Sequence, residues 1–338
     1  MPTHSRTPQR VYVVRRIAAL AVVLLVAVLG TWAVSRAFGP DPAAEAPTTG
    51  ATAPVATVEP SPSPTPSPEP DPVTFTLVTA GDVLPHATVN RNAQTAEGGY
   101  DYAPLMEPVR EWIEGADIAL CSLEVPLAPA GEAVTAYPVF GAPEELITSL
   151  QAVGWDGCAT ATNHSLDRGV PGLVRTIEVM DEAGMGRTGT GRSPEETTSA
   201  QFYEVERDGA SFTLAHLSAT TFHNDYTDPA QYADSLHALQ ADNIVDLARE
   251  ARADGADIVL FTPHWGQEYW DDPDGLQQDI ATTLADSGEV DIVLGGHSHV
   301  PQPLVRLDGG PDGEGMWVGY SMGNFLSNQD EKCCTINT

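Results

Sequence analysis

The feature that most constrains this chain is a repeated unit: an amphipathic stretch closed by glycine, then a short apolar run that ends in metal-ligating residue types. Four runs share the form: Ala116–Leu123 (ADIALCSL), Trp155–Thr162 (WDGCATAT), Ala256–Thr262 (ADIVLFT) and Val290–Gly295 (VDIVLG). The stretches before them, Pro104–Gly115, Pro143–Gly154, Ala241–Gly255 and Leu276–Gly288, read as helices with a glycine at the C-cap. A run nearer the N-terminus, TFTLVTA, supplies a first strand. Short strands alternating with helices predict a layered α/β domain.

The residues just after each run carry the chemistry. Gly81-Asp82 stands after the first, Glu124 after the second, Asn163-His164 after the third, His264-Trp265-Gly266 after the fourth, and Gly295-Gly296-His297-Ser298-His299 after the fifth. In an open α/β sheet, ligands bind at the carboxyl ends of parallel strands, so five separated segments would deliver these side chains to one place. Carboxylates with imidazoles suit divalent Mn, Fe or Zn, and a His-x-His pair continuing a strand would put both rings on one side. An isolated histidine is more often packed than ligating. Five strand ends that all close in ligand types favour a metal site over coincidence.

The N-terminal part is different material. Arg6, Arg10, Arg15 and Arg16 precede an uncharged run from Ile17 to Ser35, close to the ~20 residues that cross a bilayer. Residues 17–38 are therefore expected to be a signal anchor, with a basic cytoplasmic segment, 1–16, before it and everything after it exported. A cleaved signal peptide is the alternative. Residues 39–72, rich in Pro, Ser and Thr, read as a disordered linker, which leaves 73–338 as the folded domain. The whole chain carries 47 acidic and 16 basic residues, a formal charge of -31, and such a surface repels nucleic acid.

Six ordered segments carry a family resemblance: Gly81-Asp82, Ser122-Leu123-Glu124, Ala161 to Gly169 (ATNHSLDRG), His264 to Glu268 (HWGQE), Gly296 to Val300 (GHSHV) and Tyr320 to Phe325 (YSMGNF). Together they resemble the CapA (PgsA) proteins of poly-γ-glutamate capsule synthesis, which are similar to calcineurin-like metallophosphoesterases. The resemblance implies a four-layer α/β/β/α sandwich with a two-metal site. It places Asp82 and His299 on one cation, Glu124 as the bridging carboxylate, and Asn163, His264 and His297 on the other. His164 would be the general acid. The phosphoesterases begin with Asp-x-His, whereas Leu84 stands two residues after Asp82 and the nearest imidazole is His86. Family members usually continue past Gly-Asn-Phe with further strands, so a truncated domain is expected.

Other residues carry weaker signals. Asp167 and Glu268 could orient ligands, bind substrate or simply hydrogen-bond nearby loops. His216, His223 and His237 lie away from the strand ends and read as structural or surface residues. Trp265 and Tyr269 could line a pocket or pack. Cys121 and Cys158, inside predicted strands, read as buried thiols rather than a disulfide.

Two functions fit. One is an exported, membrane-tethered metal-dependent hydrolase acting on a phosphoester or on an amide or ester bond in a cell-envelope polymer. The other is a non-catalytic assembly or export factor whose metals are structural or bridge an anionic polymer such as poly-γ-glutamate. Membrane polymer-synthase subunits are the expected partners of either.

Overall fold

Both faces of the central strands are covered, which explains why their sequences are apolar throughout rather than alternating. The computed structural model describes residues 73–224 and 235–329. Strands β1 (Leu77–Leu84), β2 (Ile118–Leu123), β3 (Gly157–Ala159), β4 (Gly186–Thr188), β5 (Gln201–Arg207) and β6 (Ala210–Thr220) are followed by β7 (Ile258–His264), β8 (Ile292–Leu294), β9 (Leu304–Leu307), β10 (Met316–Gly319) and β11 (Asn324–Ser327). One sheet has the order β11-β1-β2-β3-β4 and is parallel throughout. The other, β5-β6-β7-β8-β10-β9, is parallel in its middle and antiparallel at both edges.

The helices are α1 (Ala87–Ala93), α2 (Ala103–Met106), α3 (Arg110–Glu114), α4 (Glu145–Val153), α5 (Gly169–Ala183), α6 (Pro194–Thr198), α7 (Ala241–Ala253) and α8 (Gly275–Ser287). Three apolar cores separate the layers. Ile118 and Leu120 of β2 meet Val205, Leu214 and Leu260 between the two sheets. Ala119, Cys121 and Leu123, the alternate positions of the same strand, pack with Leu146, Ile147 and Leu150 of α4. On the far side, Phe261 and Val293 pack with Ile244 of α7 and Leu284 of α8. Each fully buried Leu or Ile stabilises by about 2 kcal/mol. The order helix, sheet, sheet, helix is the expected α/β/β/α layering.

Several expectations need correction. The predicted helix over Pro104–Gly115 is broken by a 3-10 turn at Glu107–Val109, because Pro108 lacks the N–H a continuous helix requires. Strand β1 runs on past Ala80, so Asp82 lies inside it rather than after it. Cys121 and Cys158 are not thiols but a disulfide: they are register partners on β2 and β3, with Cα atoms 4.4 Å apart. Helix α8, by contrast, matches its signals, with a reciprocal Asp274–Gln277 cap at one end and Gly288 at φ 70° at the other.

No helix among the described residues is long and apolar enough to cross a membrane. The expected anchor at 17–38, the segments 1–16 and 39–72, and residues 330–338 lie outside the described residues.

Candidate metal centre

Asp82 reaches the site through an irregularity in β1. The register against β2 shifts between Thr79 and Asp82, and against β11 between Asp82 and Val83. Gly81 permits this, since a Cβ there would stand 1.9 Å from the Gly323 carbonyl oxygen. Asp82 Oδ2 accepts the His297 backbone N–H at 3.0 Å. Glu124 is the first residue beyond β2 and is fully buried. The Thr162 hydroxyl donates to its carbonyl, tying the β2 end to the loop after β3 that carries Asn163.

The other sheet supplies the imidazoles. His264 is the last residue of β7, and its Nε2 lies 2.8 Å from Asn163 Oδ1 and 3.5 Å from Glu124 Oε1. Its Nδ1 is 3.9 Å from Asp82 Oδ1. His297 and His299 do converge, but not through the strand alternation expected of His-x-His. They sit in a bend after β8 with φ of 85° and 61°, a left-handed conformation uncommon for residues other than glycine and costing on the order of 1 kcal/mol or more each. His299 Nδ1 lies 3.7 Å from Asp82 Oδ2 and 3.8 Å from Glu124 Oε2.

These residues fit a metal better than they fit one another. Among the described residues, Asp82 Oδ1, both Glu124 carboxylate oxygens, His264 Nδ1 and His297 Nδ1 are buried without a hydrogen-bond partner. Orphaned carboxylate oxygens in a protein interior cost several kcal/mol unless a cation compensates them. Ligand atoms of Glu124, His297 and His299 all lie within 4.8 Å of one another. Adjacent donors held at ~2.0–2.2 Å from a shared cation stand about 3 Å apart, close to the spacing of His264 Nε2 from Asn163 and Glu124. The residues can hold divalent metal.

The electrostatics describe the same strain. Burial, and then the nearby Glu124 charge, push the Asp82 carboxyl above its usual range. Burial also opposes ionisation of Glu124, but the His299 and His264 imidazoles outweigh it and hold this carboxyl low. Burial and the neighbouring His264 keep His297 neutral, whereas at His299 the Glu124 and Asp82 charges overcome burial and raise the imidazole.

His164 stands at the mouth. Its Nδ1 is 2.7 Å from Asp167 Oδ2, which also accepts the Phe140 backbone N–H. Burial works against the imidazolium, yet the Asp167 hydrogen bond prevails and raises the His164 pKa. A cleft of about 500 Å³ opens here, lined by His86, Tyr137, Phe140, Asn163, His164, Asn224, Glu268, Tyr269 and His299 among others. A larger hollow of about 770 Å³ near Glu132 and Glu144 contains none of the ligand set. Glu268 is exposed, lines the cleft and raises the His299 pKa through its charge. Trp265 packs, its indole N–H donating to the Tyr320 carbonyl, while Tyr269 does line the cleft.

Sequence reasoning missed three residues that touch the site. Asn224 Nδ2 lies 3.1 Å from His164 Nδ1, and its Oδ1 faces Asn163 Nδ2 at 3.5 Å. Asn324 Oδ1 lies 3.0 Å from His299 Nδ1, and Phe222 sets its ring edge against His297. Only Asn324 stood within a recognised segment. His216 and His237 are buried structural residues, bound to the Thr262 hydroxyl and the Ser218 carbonyl. His223 lies 3.3 Å from the Asn224 carbonyl.

Fold and site together define a two-sheet α/β protein with a buried carboxylate–imidazole cluster at its strand ends. The chain belongs to the bacterial capsule synthesis protein PGA_cap family, whose model matches residues 76–329. It is similar to the PGA biosynthesis protein CapA of Bacillus subtilis (strain 168), 27% identical over 186 residues, covering 55% of this chain and 46% of that protein. The capsule biosynthesis protein CapA of Bacillus anthracis is 27% identical over 188 residues, 56% of this chain and 44% of that one. The chain thus spans about half the length of these relatives. Among solved structures, the calcineurin-like phosphoesterase YfkN from Bacillus subtilis matches with a TM-score of 0.43 at 15% identity, covering 68% of this chain and 73% of that one.

Proposed function

We propose that this chain is an exported, membrane-tethered protein of poly-γ-glutamate or related capsular polymer biosynthesis, and that its strand-end cluster is a two-metal hydrolytic site acting on that polymer. Family membership supports the polymer context. The CapA relatives are named for capsule and PGA biosynthesis. The observation that carries the site is Glu124: a fully buried carboxylate with both oxygens unpartnered, one facing His264 and the other His299. Glu124 would be the carboxylate shared by two cations, one held with Asp82 and His299 and the other with Asn163, His264 and His297. The metal would be Mn, Fe or Zn.

Bound divalent metal supplies an activated water and a clamp for developing negative charge. The chain's own residues do the rest. Asp82 and Glu124 fix the charge of the site, and Asn163 turns its amide oxygen inward. His164, held through Nδ1 by Asp167, keeps Nε2 as the atom that can deliver a proton to a leaving group. The Cys121–Cys158 disulfide fits export, since such bonds persist in oxidising compartments. Residues 17–38 are the proposed anchor.

Elemental analysis of the purified full chain should find close to two divalent ions, and His264→Ala or His297→Ala should lower that number. A wild type that retains and titrates no metal would reject the reading. Hydrolysis of poly-γ-glutamate with Mn²⁺, lost in His164→Ala, supports the enzyme. Leu84 in the second position after Asp82 favours the competing reading, a non-catalytic assembly factor, because it leaves one cation with fewer protein ligands. Metal-dependent polymer binding without turnover would select it.

A further inference from the structure

His86 belongs to none of the expected ligand sets, yet the fold fixes it beside them. It is the N-cap residue of α1, immediately after β1. Its Nδ1 lies 2.9 Å from the Leu84 carbonyl oxygen. A carbonyl only accepts, so Nδ1 carries the proton and Nε2 is left with its lone pair. The Asn328 backbone N–H also approaches Nδ1, but at 3.5 Å, and the shorter contact to an obligate acceptor decides the tautomer. Burial lowers the pKa of this imidazole, which keeps it neutral near pH 7.

Phe140 couples His86 to the proposed acid. Its ring meets His86 edge-on at 5.3 Å and His164 edge-on at 4.8 Å, so one aromatic plate sets both imidazoles along the same cleft. Among the described residues, the cleft lining contains no lysine or arginine. Polar contacts with an entering chain would therefore come from amide, hydroxyl, imidazole and carboxylate groups, and from any metal held at the strand ends.

We infer that His86 is a positioning residue whose Nε2 accepts a hydrogen bond from a backbone amide N–H of the bound polymer, making the cleft selective for amide over ester linkages. This rests on the reading of the cleft as the polymer site. An ester oxygen in place of that N–H offers no donor, and two lone pairs would then face each other.

The test is equilibrium binding of two small probes to the full chain in detergent, loaded with Mn²⁺: N-acetyl-γ-glutamyl-glutamate and its depsipeptide, in which an ester oxygen replaces the amide N–H. The wild type should bind the amide about fivefold more tightly, the scale of one net hydrogen bond. H86F keeps the ring edge against Phe140 but loses the acceptor, and should bind both probes equally. H86Q returns an acceptor oxygen and should recover part of the preference. Equal binding of the two probes by the wild type, or an undiminished preference in H86F, overturns the inference while leaving the polymer reading intact. Binding of neither probe, with Mn²⁺ bound, sinks both. Because the wild-type comparison needs no variant, misfolding of H86F leaves the inference testable.

Discussion

Asp82 and Gly296 show how closely the site depends on single atoms. A Cβ on Gly296 would stand 2.5 Å from Asp82 Oδ1, one of the orphaned oxygens facing the imidazoles. Gly296→Ala should therefore displace the carboxylate without removing any ligand, and lower Mn²⁺ affinity at least about tenfold with the far-ultraviolet circular dichroism unchanged. Calorimetric titration reads the effect, and wild-type affinity in the variant would contradict the assigned role of Asp82. A second residue tests burial alone. His216, bound through Nε2 to Thr262 and otherwise enclosed, has its pKa pushed down to about 3 by burial. Its folded pKa lies below the unfolded value of ~6.5, so its contribution is complete above pH 6.5 and is lost as pH falls toward 3. The slope is about 1.4 kcal/mol per pH unit, which makes the share about 2 kcal/mol at pH 5. Urea unfolding at pH 7 and pH 5 should show a smaller acid loss in His216→Gln than in the wild type; parallel losses would mean that His216 takes up a proton without unfolding.

At the level of elements, the strands explain what could be read in advance and what could not. The runs around Ile118, Ile258 and Ile292 announced themselves because strands buried on both faces must be apolar, and their terminal Glu124 and His264 came directly with them. The bend that turns His297 and His299 inward has no such signal, since left-handed φ at two histidines is imposed by surrounding contacts rather than by local preference. Asn224 lies after β6 in a stretch without periodicity, so only the folded chain shows it beside Asn163 and His164. The Cys121–Cys158 pairing required the β2–β3 register, which neither strand encodes alone. That bond closes a sequence separation of 37 residues. The chain-entropy estimate for such a loop is about 4 kcal/mol, with measured values commonly nearer 2–4 kcal/mol. The double variant Cys121→Ala/Cys158→Ala should thus unfold at clearly lower urea concentration, and dithiothreitol should shift the wild type but not the variant. A shared midpoint for all three would show that the bond contributes nothing.

Across the whole molecule, the proposed metal cluster is also a seam. Asp82, Glu124 and Asn163 come from the sheet containing β1 to β3, whereas His264, His297 and His299 come from the sheet containing β7 and β8. Between the sheets lies the apolar layer of Ile118, Leu120, Leu214 and Leu260, so the cluster closes one end of the interface those residues fill. A cation held jointly by both sheets would bind the folded chain and have no comparable site in the unfolded one, where the six proposed ligands are separated by as many as 217 positions of sequence, from Asp82 to His299. Linkage then sets the expected stabilisation at about 2.7 kcal/mol when free metal stands at 100 times its Kd. For a domain of this size, that corresponds to a rise in Tm of roughly 5–10 °C. Deprotonation of the raised Asp82 carboxyl must accompany binding, so the same increment should shrink as pH falls. Differential scanning calorimetry of the full chain with Mn²⁺ and with EDTA, at pH 7.5 and pH 5.5, measures both quantities. A Tm insensitive to Mn²⁺ at either pH would mean that the two sheets meet without a shared cation, and that the His264 and His299 imidazoles alone compensate the buried Glu124.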